Sequence, residues 1–303
     1  MLRKEEKLVV DHLSNDSLLT KDFWVNLNPC LNIENIVYDN QSIISYNNLV
    51  QDNDHLIKLG YLHKKNSNFK VPISLMKKSI ANLVNYKLPP VFAFVYDEFW
   101  YIQFQLRILL EKILDKNYKQ LPDFWAWHIS NGQSGWTPHR DKGERSLFKN
   151  NKPKSLTVWI PLSKASPNNS CMYILPANKD NFYNKPKLNS ANFPGVVSDI
   201  KALPAEAGDV LMWTQEVYHW GSSSGEDSLN EPRISIAFEY QRSDIVPFNN
   251  FLLEPNLLPT FNERLVLISM QILQYTHMYG FKKNLVYWAK NYIEKYKKKL
   301  SLV

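Results

Sequence analysis

The run Trp125-Ala-Trp-His128-Ile-Ser-Asn-Gly-Gln133-Ser-Gly-Trp136-Thr-Pro-His139-Arg140-Asp141 organises the chain, together with Tyr218-His219-Trp220 further on. In an extended segment, side chains at i and i+2 point to the same side, so His139 and Asp141 can reach one ion while Arg140 turns away. With His219 they supply two imidazoles and a carboxylate. Three such donors on one octahedral face suit a non-haem iron(II) centre with open positions. A lone His-X-Asp also occurs as a surface salt-bridging pair, so the flanking segments decide its meaning.

Those segments read as strands. Ser155-Leu-Thr-Val-Trp159-Ile-Pro161-Leu162 is β-rich and ends at a proline. Ser170-Cys-Met-Tyr-Ile-Leu-Pro176 is a second apolar run, and the turn Ala205 to Asp209 delivers a third at Val210-Leu-Met-Trp213, with His219 expected just beyond it. Arg233-Ile-Ser235-Ile-Ala-Phe238-Glu-Tyr240 alternates cleanly, so Arg233, Ser235 and Ala237 share a face. An arginine there can return to the metal cavity with a hydroxyl beside it.

The ordered series His139-Arg-Asp141, Trp159-Ile-Pro-Leu162, Asn169-Ser-Cys-Met-Tyr-Ile-Leu-Pro176, Gly208-Asp-Val-Leu211, His219 and Arg233-Ile-Ser235 resembles the phytanoyl-CoA dioxygenase-like branch of the iron(II)/2-oxoglutarate oxygenases, over roughly 124–240. The resemblance implies a mainly β fold with flanking α-helices, built on a double-stranded β-helix (jelly roll, cupin-like) with N- and C-terminal helical extensions. It implies that His139, Asp141 and His219 hold Fe(II), that Arg233 binds the distal carboxylate of 2-oxoglutarate with Ser235 beside it, and that Thr157 and Trp159 line the co-substrate. O2 is then the second co-substrate, and hydroxylation of an unactivated C–H bond of a small molecule, amino acid or peptide is the expected reaction. A carboxylate at Asp141 argues against halogenation, for which relatives carry a small residue there. The other reading is a jelly-roll metal- or ligand-binding protein without turnover. Trp220 departs from the family pattern by standing between His219 and Gly221-Ser222.

Further residues invite substrate roles. Gly132-Gln133-Ser-Gly135 is a loop ahead of the metal segment, so Gln133 and Trp136 are placed at the cavity mouth, with His128 close by as a cavity residue. Arg140, Lys142 and Arg145 form a small basic patch at the expected entrance.

The 303 residues are expected to form one oxygenase domain: a wrapping extension with helices over 1–120, a core over 121–243 and helices over 244–303. Within the extension, 1–67 reads as irregular, 71–84 as a helix, 89–96 as a strand and 97–115 as one apolar helix packed on the sheet. Periodic apolar residues give helices over 262–274 and 285–299. The excess of 36 Lys+Arg over 29 Asp+Glu gives +7, read as a solvated surface; nucleic acid and membrane are not expected partners. Cys30 and Cys171 imply no disulfide framework, and Met1 to Lys7 lacks a signal-peptide core, so a cytoplasmic location is expected.

Overall fold

The computed structural model of the chain describes residues 17–36, 47–185, 193–225 and 231–296. Eight strands form two antiparallel sheets. They are β1 (Tyr61–Lys64), β2 (Lys119–Ile129), β3 (Ser155–Pro161), β4 (Met172–Leu175), β5 (Lys201–Leu203), β6 (Val210–Thr214), β7 (Tyr218–Gly221) and β8 (Arg233–Gln241). The larger sheet runs β1-β6-β3-β8-β2 and the smaller β5-β4-β7. Among the described residues seven α-helices flank them: α1 (Lys21–Leu27), α2 (Leu49–Leu59), α3 (Ile73–Asn85), α4 (Asp97–Phe104), α5 (Arg107–Ile113), α6 (Phe261–Gln274) and α7 (Lys283–Tyr296).

Strand alternation sorts the larger sheet into two chemistries. On one face, Leu156, Val158, Ile160, Ile234, Ile236 and Phe238 join the aromatic helices in the main apolar cluster. Phe94 is the hinge of that packing, with ring centroids 4.4 Å from Phe124 and 5.4 Å from Phe238. Truncating a fully buried ring such as Phe238 to alanine costs about 3–5 kcal/mol. On the other face, Trp159, Leu211, Trp213 and Ala237 pack with Met172 and Ile174 of the smaller sheet in a second cluster. The chemistry-bearing residues of β3 and β8, Thr157, Arg233 and Ser235, belong to this second face. Both strands are largely buried on both sides; β3 accordingly reads as a nearly continuous apolar run, whereas β8 keeps the polar side chains of its cavity face in alternation.

Several sequence expectations need correction. The 89–96 run is a 3₁₀ turn, Pro90–Val95, buried all round. Periodicity cannot tell a short, fully buried apolar run from a strand. The 97–115 helix is two helices, α4 and α5, broken at Gln105–Leu106, where the Gln105 side-chain carbonyl accepts the Lys70 N–H at 2.7 Å. Neither proline nor glycine marks that break. The irregular 1–67 extension contains α1, α2 and β1, and β1 closes one edge of the larger sheet by pairing with β6. Its Ile43-Ile-Ser-Tyr cluster lies outside the described residues, as do Met1 to Lys7 and the end of the 285–299 run. α6 starts at a capping box between Thr260 and Glu263.

β2 is the other edge strand. Its register to β8 shifts between Gln120 and Phe124, around Pro122. A proline lacks the ladder donor and is tolerated at an edge or a bulge, and bulges re-aim neighbouring side chains. Here the irregularity coincides with Asp123, which lines the cavity between the sheets.

Candidate metal centre and its cavity

His139 and Asp141 lie on an extended segment outside the named strands, and His219 follows β6 as expected, on a further short strand, β7. The two histidines exchange backbone hydrogen bonds at 3.0 Å in both directions, an isolated antiparallel bridge that fixes the segment to the smaller sheet. This brings the rings to a centroid separation of 4.4 Å. Asp141 Oδ1 stands 3.3 Å from His139 Nε2 and 3.5 Å from His219 Nε2. One donor atom from each residue lies within 4.8 Å of the others, the one such cluster among the described residues that contains two imidazoles and a carboxylate.

Outer contacts orient all three. His139 Nδ1 faces the Thr137 carbonyl at 2.7 Å and His219 Nδ1 the Val217 carbonyl at 3.0 Å. Both rings therefore carry their proton on Nδ1 and turn a lone pair on Nε2 inward, as a metal-ligating histidine does. Asp141 Oδ2 accepts from the Thr157 hydroxyl at 2.7 Å and from the Trp213 indole at 3.0 Å, leaving Oδ1 toward the imidazoles. Burial pushes His219 down to about 4 despite the attraction of Asp141. Burial would raise Asp141, but His219, His139 and the Thr157 hydroxyl together hold it well below the usual carboxylate range. His139 is lowered by burial and raised more by its hydrogen bond to and charge attraction from Asp141. A neutral buried imidazole and an ionised carboxylate are the protonation states a metal requires. His139 Nε2, moreover, is buried with no well-formed hydrogen-bond partner.

Arg233 opens the same cavity from the other side. It is 2% exposed, and its Nε donates to the Ser170 carbonyl at 3.0 Å, Nη1 to Ser235 Oγ at 2.6 Å and Nη2 to Ser170 Oγ at 3.2 Å. No carboxylate among the described residues pairs with it, and burial pulls the guanidinium down to about 10. Trp159 lies beneath it, 5.6 Å from ring centroid to guanidinium carbon. Two glycines make the room. A Cβ on Gly221 would fall 2.8 Å from Gly135 Cα and 3.3 Å from Arg233 Nη2, so any side chain there pushes on the guanidinium. Trp220 turns outward from β7 to stack on Tyr173, which lets Gly221 face the cavity even though the tryptophan interrupts the family pattern.

The cavity holds about 560 Å³ of atom-free space, part of it open to solvent. Thr157, Trp159, Trp136, Arg233 and the three-residue cluster all line it. Of the remaining sequence candidates, Ser235 stands behind the guanidinium. Gln133 is exposed and its side chain accepts the Ser130 N–H at 2.9 Å, closing its own turn. His128 lines an outer groove with Gln133 rather than this cavity. Arg140 turns away as alternation requires, to within 2.7 Å of Asp180 and over the Tyr218 ring. The basic entrance is not assembled: Arg140 is ion-paired, and Lys142 is held by Glu239 at 2.7 Å.

Other lining residues were not anticipated in these roles. Tyr275 and Tyr279, just past α6, form a wall: the Tyr279 hydroxyl accepts from the indoles of Trp125 at 2.9 Å and Trp136 at 2.8 Å, and Tyr275 packs against both rings. Nothing local marks them. Glu239 shares the inward alternation of Arg233 and Ser235 and was legible in that pattern.

Fold and centre together define a two-sheet antiparallel protein in which a His/Asp/His cluster able to hold a metal shares a cavity with an arginine that no carboxylate among the described residues pairs with. Residues 103–226 match the model of the phytanoyl-CoA dioxygenase (PhyH) family, to which this part of the chain is similar. The structure is similar to that of the non-haem α-ketoglutarate-dependent epimerase SnoN of nogalamycin biosynthesis, with a TM-score of 0.51 and 14% identity over 64% of this chain and 83% of that one. SnoN in complex with Fe3+, α-ketoglutarate and nogalamycin RO gives 0.50 and 14% over 70% and 94%. HygX from Streptomyces hygroscopicus gives 0.48 and 13% over 66% and 88%. No curated protein sequence matches the chain significantly. Among the described residues no helix is long and apolar enough to cross a membrane.

Proposed function

We propose that the protein is an iron(II)- and 2-oxoglutarate-dependent oxygenase that hydroxylates an unactivated C–H bond of a small molecule, amino acid or peptide in a biosynthetic pathway. The observation that carries this reading is one cavity holding three convergent potential metal donors and a buried guanidinium with no carboxylate partner among the described residues. Iron, once bound, would activate O2 with the electrons released by oxidative decarboxylation of 2-oxoglutarate. The chain's own residues do the rest.

His139 Nε2, Asp141 Oδ1 and His219 Nε2 would hold the ion. Thr157 and Trp213 keep the Asp141 carboxylate ionised and aimed. Arg233 offers a planar fork to the far carboxylate of the co-substrate, and Ser235, accepting from Nη1, keeps its own hydroxyl proton free to donate to the same carboxylate. Trp136, Trp159 and Tyr275 exclude bulk water from the reacting atoms. The two sheets are read as the halves of a double-stranded β-helix. The whole chain is read as one oxygenase domain, because β1 completes the sheet and the residues after α6 complete the cavity wall.

The test is anaerobic loading with iron(II), titration with 2-oxoglutarate, then admission of O2 and measurement of succinate. Binding of both with succinate release supports the reading. Failure of the iron-loaded protein to bind 2-oxoglutarate overturns it.

A further inference from the structure

The cavity has two ends of opposite character, both set by β8. Arg233, Ser235, Ala237 and Glu239 point to one side, and at about 3.3 Å per residue the first and last are about 20 Å apart. The metal cluster lies between. Gly221, beside Arg233, is two residues along β7 from His219, while Thr157, the cross-strand partner of Glu239, donates to Asp141. At the Arg233 end one cation faces no carboxylate. At the other end Glu239 and Asp123 both line the cavity, and Lys142 lies between them, 2.7 Å from Glu239 Oε2 and 3.8 Å from Asp123 Oδ2.

Two carboxylates against one ammonium leave an uncompensated negative charge. Asp141 lies near but faces the two imidazoles. Gln274 at 2.8 Å and Asn249 at 3.4 Å give Asp123 neutral donors, which orient it without cancelling charge. Burial, with Asp123 and Asp141 adding to it, holds the Glu239 carboxyl above the usual range despite Lys142. A cationic group placed beside these carboxylates would balance their charge. The walls beside this end are Phe124, Trp125 and Tyr275, faces suited to a carbon skeleton and to a nearby positive charge. A second metal ion fits poorly, because Lys142 already occupies the space between the carboxylates.

Building on the oxygenase reading above, we propose that the substrate carries a protonated amine, received by Glu239 and Asp123 at the end of the cavity remote from Arg233. Its skeleton runs back along Trp125 and Tyr275, which brings a C–H bond some distance from the amine to the metal centre. The co-substrate's anion and the substrate's cation thus enter opposite ends, and neither is held well at the other.

The experiment uses the full chain loaded anaerobically with iron(II) and 2-oxoglutarate at neutral pH. Calorimetric titration compares matched triplets that share one skeleton: phenethylamine, 2-phenylethanol and phenylacetate, then hexylamine, hexanol and hexanoate. The amines are expected to bind about tenfold more tightly than their neutral and anionic counterparts. In Glu239→Gln and in Asp123→Asn that preference is expected to shrink to about twofold, with 2-oxoglutarate affinity in the same samples kept as the control for folding. Equal or weaker binding of the amines, no amine binding at millimolar concentration while 2-oxoglutarate still binds, or a preference that survives both substitutions overturns the proposal. Should both variants lose 2-oxoglutarate binding, the wild-type triplets decide alone. A wild-type protein that never binds 2-oxoglutarate instead strikes the oxygenase reading, and the separate titration reveals which has failed.

Discussion

Replacing Arg233 by leucine separates the co-substrate anchor from the metal centre. In the structure the guanidinium is buried, held by Ser170 and Ser235, and free of any carboxylate among the described residues, so a bound dicarboxylate would be its counter-charge. Two parallel charge-assisted hydrogen bonds in a desolvated site are together worth about 3–5 kcal/mol when one partner is removed. At 1.4 kcal/mol per decade this lowers 2-oxoglutarate affinity by about 10²- to 4 × 10³-fold. Iron affinity should move by no more than about threefold, since Arg233 touches none of the three donors. Ser235→Ala removes only the partner of Nη1, worth about 1 kcal/mol, and should give a loss of about fivefold. Anaerobic calorimetry of 2-oxoglutarate into iron-loaded protein measures both, and a parallel iron titration supplies the control. An Arg233→Leu protein with wild-type co-substrate affinity would show that another cation holds the carboxylate. A variant that loses iron and 2-oxoglutarate alike would show that the arginine supports the cavity as a whole.

Four further outcomes are expected. Asp141→Ala should abolish iron binding and succinate release, because it removes the one anion between the imidazoles and strands the Thr157 and Trp213 donors; retention of near wild-type turnover would contradict the assigned role. Trp213→Phe keeps the ring but deletes its hydrogen bond to Asp141, so iron affinity should fall about 10–100-fold, measured by competition with a chelator. Gly221→Ala drives a methyl against Gly135 and the Arg233 guanidinium, and should weaken 2-oxoglutarate more than iron; equal losses would point to general misfolding. For Glu239 the folded-state value lies above the ordinary 4.5, at about 8, so folding favours its protonated form. That contribution is fully present below about 4.5 and is lost as pH rises through about 8. Glutamine does not titrate, so the Tm advantage of Glu239→Gln over wild type should grow between pH 5 and pH 8, and a difference independent of pH would refute the sign.

How much of this was readable beforehand depended on whether the signal was local. Period-two alternation in Arg233 to Tyr240 placed the arginine, its serine and the helix-facing apolar residues on the correct sides, because a strand's faces are fixed by its covalent geometry. His139, Asp141 and His219 emerged from spacing and order, although the segment bearing the first two is an extended loop held to β7 and its flanks by isolated bridges rather than a regular strand. Thr157 and Trp159 were placed in the cavity, but alternation could not show that the threonine hydroxyl meets Asp141. The Pro89 to Tyr96 run failed for want of period, since a segment buried on all sides carries none. Tyr275, Tyr279 and the charge balance of Asp123, Lys142 and Glu239 depend on tertiary juxtaposition of residues up to about 150 positions apart. The basic patch failed for the same reason: each of Arg140 and Lys142 found an acid that lies far away in sequence.

The reciprocal amide bonds between His139 and His219 tie the centre to the architecture. Two of its three donors cannot drift independently, since whatever frees one backbone frees the other. An ion seated there would act as a clasp between the 131–141 segment and the smaller sheet, so that loading the centre and closing that seam become one event. Slow amide exchange at positions 139 and 219 would then report occupancy as directly as catalysis does.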